Sequence, residues 1–480
     1  MKKSCLLKFL AIIVSALLLF IACEEEDNAG EENCAIISLS ADGSTDKETT
    51  KLFFTVNDDG LDLTADDIRI NAAFSVIKGS LTKTGAAAYE LRITSGKTGL
   101  IKIGLDPYRG FTGWDAKQVN VYADWHFNGT SELSITSKET SGDSLIIPPA
   151  IAGIPVTSIG ADAFHNKKLT YVVISENITS IRNNAFANNN LITIKIPEKV
   201  TVIGNGVFAN NNLITIIIPK NVTVIGNNAF ANNQLKNIDI PENITNIGDY
   251  AFYRNQLSEF TIHGNITAIG SGVFAYNQLS EITIPESVTI IGAGAFAYNQ
   301  LSDITIPENV ITIGNIAFAY NQLTGITISE GVKQIGENAF SYNQLTEVTI
   351  PESVTTIGNS AFANNKLEEI IIPNEVEIIG ANTFFNNKLT KVTISEKAVS
   401  IGNSAFEYNK LEEIIIPDSV KNIGVHAFFN NQIISITIGE DVILNDLSFG
   451  GGFEDAYYKN ERKKGKYTLT GGTWDYSPVP

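Results

Sequence analysis

Residues 285–306 carry the pattern that decides the fold. They read Pro285-Glu286-Ser287-Val288-Thr289-Ile290-Ile291-Gly292-Ala293-Gly294-Ala295-Phe296-Ala297-Tyr298-Asn299-Gln300-Leu301-Ser302-Asp303-Ile304-Thr305-Ile306. This 22-residue pattern recurs in twelve consecutive repeats over residues 175–438, and we number its positions from 1, at Pro285, to 22, at Ile306. Position 7 is Ile, position 12 is Phe and position 15 is Asn in all twelve. Such self-similarity predicts a solenoid, in which stacked repeats bury one continuous core.

The end of each repeat predicts a strand of a parallel sheet. Leu301, Ile304 and Ile306 give the L-x-x-I-x-I spacing of leucine-rich-repeat strands. Because side chains alternate along a strand, Ile304 and Ile306 are expected to point inward, and Asp303 and Thr305 outward.

The rest of the repeat predicts a second wall and a corner. Val288 and Ile291 form another inward pair, on a short strand or turn of the opposite wall. Gly292 permits a close backbone approach that a side chain would block. Phe296 fills the core, and Asn299 is expected to hydrogen-bond the backbone of adjacent coils as a ladder.

The repeat resembles a known family. The motif I-P-E-S-V-T-x-I-G-x-x-A-F-x-x-N-x-L, as in residues 350–367, is similar to the BspA-like leucine-rich repeats of bacterial surface lipoproteins, over about 300 of 480 residues. Those repeats often carry Cys where this chain has Asn. The resemblance implies a leucine-rich-repeat solenoid. It also implies a cell-surface adhesin for extracellular-matrix or plasma proteins, such as fibronectin or fibrinogen, or for other bacterial cells.

The N-terminus predicts export. Three lysines precede the apolar residues 9–22, and Ala22 stands directly before Cys23, which resembles a bacterial lipobox. We expect a lipoprotein signal peptide over residues 1–22, lipidation of Cys23 and an acidic tether over residues 23–33. An ordinary signal or an uncleaved anchor is the alternative. The remaining thiol, Cys34, is either a buried strand residue or a reactive group.

Residues 34–122 predict a mainly β module before the repeats. Seven short candidate strands, separated by turn residues, suggest a β-sandwich. Stretches such as residues 61–68 and 78–85 resemble bacterial immunoglobulin-like modules, which implies a spacer; ligand binding by the module is the alternative.

An N-terminal cap with a first irregular repeat is expected over residues 123–174, with a strand pair within residues 131–147. A C-terminal cap with a hairpin is expected over residues 439–480.

Composition excludes several functional classes. The chain has 52 acidic and 34 basic residues, a net charge of −18, so it lacks the basic footprint of a nucleic-acid-binding protein. Three Cys and four His are too few for a disulfide scaffold or a His-rich metal site. No G-x-S-x-G, H-E-x-x-H or phosphate-loop motif is present. We therefore expect no enzyme, no metal and no cofactor.

Two outward positions of the predicted strand are candidates for protein binding. Position 19 gives an acidic column, which consists of Glu259, Glu281, Asp303, Glu347 and Glu369. Position 21 gives a threonine column, which consists of Thr261, Thr283, Thr305, Thr327 and Thr349. The stacked carboxylates of the acidic column repel one another, so the stability of the fold does not require them. Their negative charge suits a basic partner protein. The alternative is a solvated polar surface. Without a D-x-D-x-D-G loop, the column is not predicted to hold Ca²⁺.

Two further sets are candidates for contact surfaces. Position 14 gives a tyrosine column of four successive repeats, Tyr276, Tyr298, Tyr320 and Tyr342, which is either a row of contact anchors or a structural ladder. Ile192, Ile214 and Ile217 suggest an apolar patch in the early repeats. The basic residues 461–466 are either a binding patch or a solvated loop.

Together these features predict a lipid-anchored protein of the cell envelope, on the outer membrane and the cell surface. Its expected function is non-catalytic binding of host matrix, plasma or bacterial surface proteins through the solenoid. The alternative is an envelope scaffold that binds partners of its own cell.

Overall fold

The computed structural model describes every residue in the ranges 143–262 and 266–479. Before residue 143 it describes mainly separate strands. Those earlier residues are 4–5, 23–24, 36–41, 51–56, 63, 65, 68–72, 76–83, 88–95, 99–105, 117–121, 125–128 and 133–138. Residues 4–5 aside, the expected signal peptide lies outside the described residues. So do Cys34 and, apart from residues 23–24, the expected tether. The chain divides into two compact units, residues 1–187 and residues 188–480.

The first unit begins with antiparallel pairs. β1 (Ser4–Cys5) pairs with β2 (Cys23–Glu24). Seven strands follow, close to those predicted from the sequence: β3 (Ile36–Ala41), β4 (Lys51–Val56), β5 (Ile68–Ala72), β6 (Val76–Lys83), β7 (Ala88–Ser95), β8 (Gly99–Leu105) and β9 (Lys117–Val121). They form two antiparallel sheets, in the orders β3-β4-β7-β6 and β5-β8-β9. Leu52 and Phe54 of β4 are buried.

The first coils of the solenoid complete this unit. Their strands are β10 (Trp125–Asn128), β11 (Leu133–Lys138), β12 (Ser144–Ile146), β13 (Ala150–Ile151), β14 (Ile154–Ile159), β15 (Tyr171–Val173) and β16 (Ser180–Ile181). The expected strand pair within residues 131–147 is wrong. β11 runs antiparallel to β10 and parallel to β14, whereas β12 runs parallel to β15. β11 therefore belongs to the wall of β14, and β12 to the wall of β15, whereas the two strands of a hairpin would pair with each other.

The second unit is a solenoid of stacked coils. One wall holds two-residue strands at positions 6 and 7: β17 (Val202–Ile203), β18 (Val224–Ile225), β19 (Asn246–Ile247), β20 (Ala268–Ile269), β21 (Ile290–Ile291), β22 (Thr312–Ile313), β23 (Gln334–Ile335), β24 (Thr356–Ile357), β26 (Ile378–Ile379), β28 (Ser400–Ile401) and β30 (Asn422–Ile423). β32 (Ile443–Leu444), which follows the twelve repeats, pairs with β30 on the same wall. These strands pair in parallel, one coil apart, as Ile291 does with Ile313. In each pair of residues the second is buried, as position 7 predicts.

The opposite wall, at positions 19–21, is less regular than the sequence predicts. Among the described residues of this unit, regular strands form there only late: β25 (Glu369–Ile371), β27 (Lys391–Thr393), β29 (Glu413–Ile415) and β31 (Ser435–Ile438). Earlier coils have single bridges, such as Thr261 to Thr283. β25 pairs with β27, where Glu369 faces Lys391, but no such strands form where Glu259 and Glu281 are neighbours. Repulsion between acids does not account for this difference, because Lys195 and Ile217 also form only a single bridge, in coils whose position 19 is Thr.

The core is built from stacked identical side chains. Phe296 is fully buried, and its ring stacks on Phe274 at 5.6 Å and on Phe318 at 5.3 Å between centroids. The predicted close approach of the backbone at Gly292 is confirmed. A Cβ at this position would lie 2.7 Å from the Gly270 carbonyl carbon of the preceding coil. One small and one large residue thus set the spacing of the coils.

The C-terminal residues form a helix and a hairpin. α1 (Phe453–Lys459) is followed by β33 (Gly465–Thr470), antiparallel to β31, and β34 (Thr473–Ser477), antiparallel to β33. The hairpin confirms the prediction, and the helix was not predicted. In the part of the chain that the structure describes, no helix is long and apolar enough to cross a bilayer.

Candidate functional site

The alternation along residues 303–306 separates core from surface. Ile304 and Ile306 are buried, while Asp303 and Thr305 are exposed, as the sequence predicts. The same alternation in successive coils brings the acidic and threonine columns to one solvent-facing wall, which we call the sheet face.

All five carboxylates of the acidic column are exposed. Within the described residues none of them has an ion-pair partner, although Lys397 and Glu375 pair elsewhere at 2.6 Å. The column is interrupted by Gly325 and ends beside Lys391, which lies directly opposite Glu369 in the register of β25 and β27. The strongest concentration of negative charge therefore lies at Glu259, Glu281 and Asp303.

The threonine column runs beside these acids and is also exposed throughout. Thr305 and Thr327 form a single parallel bridge, so the backbones of these two coils are held together next to the acids. Hydroxyls that face water can donate to and accept from a partner's backbone and side chains. The sheet face thus combines fixed negative charge with neutral hydrogen-bonding groups.

The tyrosine column is a continuous stack. Neighbouring ring centroids lie 4.2 Å apart for Tyr276 and Tyr298, 4.3 Å for Tyr298 and Tyr320, and 4.5 Å for Tyr320 and Tyr342. The interplanar angles are 7–9°. The rings therefore cover one another's faces and present their edges and hydroxyls outward. Burial, followed by the hydrogen bond and charge of the Tyr276 hydroxyl, raises the pKa of Tyr298 from 10 to about 12.

Three residues extend this stack that the sequence analysis missed. Tyr253 meets Tyr276 edge-on at 5.5 Å and Tyr250 at 5.6 Å. The Arg254 guanidinium lies 5.3 Å from the ring centroids of both Tyr253 and Tyr276. The signal was present, because Arg254 occupies position 14 of the repeat before Tyr276.

The early apolar patch is exposed as predicted. Ile192, Ile214 and Ile217 all face solvent, and Ile217 is 79% exposed. Ile192 and Ile214 are joined by a backbone hydrogen bond between adjacent coils, whereas Ile217 lies opposite Lys195. Ile371 and Ile415 are also exposed, at the same position 21 of later coils, and the sequence analysis did not single them out.

The basic residues 461–466 are largely neutralised by local acids. Arg462 pairs with Asp441 at 2.9 Å, and Lys464 pairs with Asp418 at 3.0 Å. A hydrogen bond from Lys463, and its charge, lower the pKa of Glu461. These contacts favour the interpretation as a solvated structural loop over that as a binding patch.

A metal centre would need several ligands in one place. Over the residues with described positions, no group of three or more His, Cys, Asp or Glu side chains is arranged to hold a metal ion.

Comparison with known proteins identifies the repeat. The BspA-type leucine-rich repeat region matches residues 157–280, 267–388 and 333–451, which together span more than half of the chain. The chain belongs to the BspA-type leucine-rich repeat family. Proteins of this kind are repeat proteins that typically mediate protein–protein interaction. No curated protein matches the chain.

Several solved structures resemble the chain. A leucine-rich repeat protein from Bacteroides ovatus is 22% identical and covers 68% of this chain and 89% of its own, with a TM-score of 0.48. The pneumococcal vaccine antigen PcpA is 15% identical, with 67% and 97% covered and a TM-score of 0.42. A leucine-rich cell surface protein from Faecalibacterium prausnitzii is 20% identical, with 66% and 88% covered and a TM-score of 0.28.

Proposed function

We propose that this protein is a cell-surface adhesin whose sheet face binds basic surfaces of other proteins. The partners are host extracellular-matrix or plasma proteins, such as fibronectin or fibrinogen, or bacterial surface proteins. One observation carries the proposal. The carboxylates of the acidic column are exposed and have no ion-pair partner in the described parts of the chain, although their repulsion does not help the coils to stack.

The negative charge of the sheet face determines which proteins it can bind. A row of carboxylates on one wall attracts a positively charged patch, raises the association rate and disfavours acidic partners. The exposed hydroxyls of the threonine column supply hydrogen bonds that do not depend on charge. Binding should therefore weaken with salt without vanishing, since screening acts on the charged contacts only.

The N-terminal part is proposed to place this face outside the cell. Lipidation of Cys23 would anchor the chain in a membrane, which we propose to be the outer membrane. The acidic tether would hold the solenoid away from that membrane. The seven strands β3–β9 are proposed to form an immunoglobulin-like spacer. Their order, first-second-fifth-fourth in one sheet and third-sixth-seventh in the other, supports this, because constant-type immunoglobulin domains have the same order.

Charge reversal tests the proposed site. Residues 24–480 and a variant in which Glu259, Glu281 and Asp303 are replaced by Lys are compared in solid-phase binding to fibronectin and fibrinogen across a salt series. We expect saturable, salt-sensitive binding of the parent protein and its loss in the variant. A matched control reverses three exposed acids outside the acidic column, Glu337, Glu377 and Glu440.

The control variant is expected to bind like the parent. Equal loss in both variants would mean that net charge alone drives binding, and would contradict a site on the sheet face. Absence of binding by the parent, together with resistance of the protein to protease added to intact cells, would favour the envelope scaffold.

A further inference from the structure

The four rings of the tyrosine column lie close enough to react with one another. Tyr276, Tyr298, Tyr320 and Tyr342 occupy the same position of four successive coils, and neighbouring ring centroids lie 4.2–4.5 Å apart at interplanar angles of 7–9°. The Tyr298 hydroxyl lies beside those of Tyr276 and Tyr320 and hydrogen-bonds with both, so the rings point in the same direction. The carbon atoms ortho to the hydroxyls of neighbouring rings therefore lie side by side.

The separation of the rings matches that of two phenols joined by a covalent bond. In such a pair a single carbon–carbon bond of about 1.5 Å places the ring centroids about 4 Å apart. Bond formation in the column therefore requires the rings to turn about their side-chain torsions, while the coils keep their spacing. Room for this turn lies on the solvent side, because Tyr276 and Tyr320 are each 39% exposed and Tyr342 is 47% exposed. The same exposure gives an oxidant access to the rings.

The fold does not require tyrosine at these positions. Position 14 has a positive φ in all twelve repeats, 57° at Tyr276 and 55° at Tyr342. In six other repeats it is Asn, the residue that tolerates this conformation best after glycine: Asn188, Asn210, Asn232, Asn364, Asn386 and Asn430. The column therefore keeps bulky rings where the same coil folds with a more suitable residue. Backbone strain that the fold can avoid is a feature of functional sites.

Tyr408 provides an internal comparison. It also occupies position 14, with φ 58°, and it is 50% exposed. The residues at position 14 of the coils on either side are Asn386 and Asn430, and the Tyr408 ring meets Phe385 edge-on at 5.5 Å. Tyr408 thus shares the backbone and the exposure of the column, without a tyrosine stacked on it.

We propose that the tyrosine column is an oxidative cross-linking site, at which the rings of adjacent coils are joined as dityrosine. The co-reactant is hydrogen peroxide, activated by a peroxidase outside the protein. The site is separate from the sheet face, and its chemistry does not depend on the proposed binding function.

The reaction balances with one molecule of peroxide for each cross-link. Two neighbouring phenols each lose one electron and one proton and become phenoxyl radicals. The radicals combine, which forms a carbon–carbon bond between their ortho carbons. Each of these carbons then releases its hydrogen as a proton, and each oxygen takes up a proton, so two phenols are restored. The two electrons and two protons removed overall convert the peroxide into two molecules of water.

The cross-link would stabilise the middle coils. It joins residues that are 22 positions apart in the chain, for example Tyr276 and Tyr298. A covalent link of this kind restricts the unfolded chain more than the folded one, where the two residues are already neighbours. The oxidised protein should therefore melt at a higher temperature than the untreated protein.

The test uses the full chain, purified in detergent and treated with a haem peroxidase and hydrogen peroxide. Digestion after glutamate places each tyrosine of the column on its own peptide, namely residues 260–281, 287–308, 309–330 and 338–347. In the monomeric protein, mass spectrometry should find pairs of peptides from adjacent coils, joined through tyrosine and lighter by two hydrogens than their sum. The same treatment in urea should not give these pairs, because unfolding separates the rings.

Y298F/Y342F keeps an aromatic ring in every coil and leaves no two tyrosines adjacent in the column. The variant should lose the linked pairs, peptides 260–281 and 309–330 should stay unlinked, and oxidation should no longer raise the melting temperature. Y171F/Y408F is the matched control, because it removes two exposed tyrosines outside the column. It should keep both the linked pairs and the rise in melting temperature.

Three results would overturn the inference. The first is the absence of linked column peptides from the oxidised parent protein. The second is their presence only in covalent dimers, which would mean that the rings react between molecules. The third is an equal yield of linked pairs in urea, which would mean that the stack does not bring the rings together.

Discussion

A single asparagine joins two neighbouring coils of the solenoid. The Asn299 side-chain amide donates to the carbonyls of Phe274, Phe296 and Ala297 at 2.9–3.4 Å, and its Oδ1 accepts the Leu279 N–H at 3.0 Å. The same contacts recur along position 15. The ladder was predicted from the sequence because Asn stands at the same corner of every repeat and carries both a donor and an acceptor for backbone groups. This prediction is confirmed.

Replacing Asn299 by Ala should lower the free energy of unfolding by about 3 kcal/mol, because a buried N–H and several carbonyls lose their partners. Urea denaturation measures the effect. The control is Asn431→Ala, which removes equivalent bonds from a half-buried residue that water can replace in part. A smaller loss for Asn299 than for Asn431 would contradict this account of the ladder.

Ile316 shows the opposite case of a residue that suits its position poorly. It is β-branched, yet it adopts φ 61° at position 10, where several other coils have Asn or Gly. Ile316→Asn should raise the free energy of unfolding by about 1 kcal/mol. The reverse exchange one coil later, Asn338→Ile, should lower it. A lower melting temperature for Ile316→Asn would show that burial of the side chain outweighs the backbone strain.

Tyr298 should make the stability of the middle coils depend on alkaline pH. Its pKa of about 12 in the fold, against 10 for an ordinary tyrosine, means that the fold favours the neutral phenol. The stabilisation is complete below pH 10 and is lost as the pH rises from 10 to 12. Phenolate absorbance should show this late titration, and Tyr276→Asn should lower the pKa of Tyr298. Titration of Tyr298 at 10 in the parent would contradict the stacking account.

At the scale of the single coil, periodicity predicted which side chains are buried but not how regular each wall is. Val288, Ile291, Ile304 and Ile306 are all buried, as expected. Within the described part of the second unit, regular strands at positions 19–21 form only in the late coils, which depends on contacts between coils that a per-position pattern does not reveal. The helix Phe453–Lys459 was missed because seven residues after a glycine run carry too little periodicity.

The spacing of the coils should depend on Gly292. A Cβ there would come within 2.7 Å of the Ile269 oxygen, so Gly292→Ala must separate two coils and should cost about 3 kcal/mol. Gly325→Ala is the control, since its Cβ would meet only the Asp303 side chain at 3.6 Å. Its effect should stay within about 0.5 kcal/mol. Similar melting temperatures for the two variants would show that the coils can move apart freely.

For the whole molecule, the repeat alone predicted the solenoid and its family, because a fixed period specifies both the coil and its neighbours. The candidate site could be predicted less completely from the sequence. The exposure of the acidic and threonine columns was predicted from alternation, but the contacts of Arg254 with Tyr253 and Tyr276 were not. These contacts depend on which side chains meet across coils, and no single repeat contains that information.

The central claim is that the sheet face binds proteins. Hydrogen–deuterium exchange of residues 24–480, alone and with saturating fibronectin or fibrinogen, tests it most directly. The account predicts slower exchange at residues 259–261, 281–283 and 303–305 with at least one of the two proteins, and no such change in the triple Lys variant. Unchanged exchange with both proteins, or protection confined to residues 289–291 on the opposite wall, would contradict it.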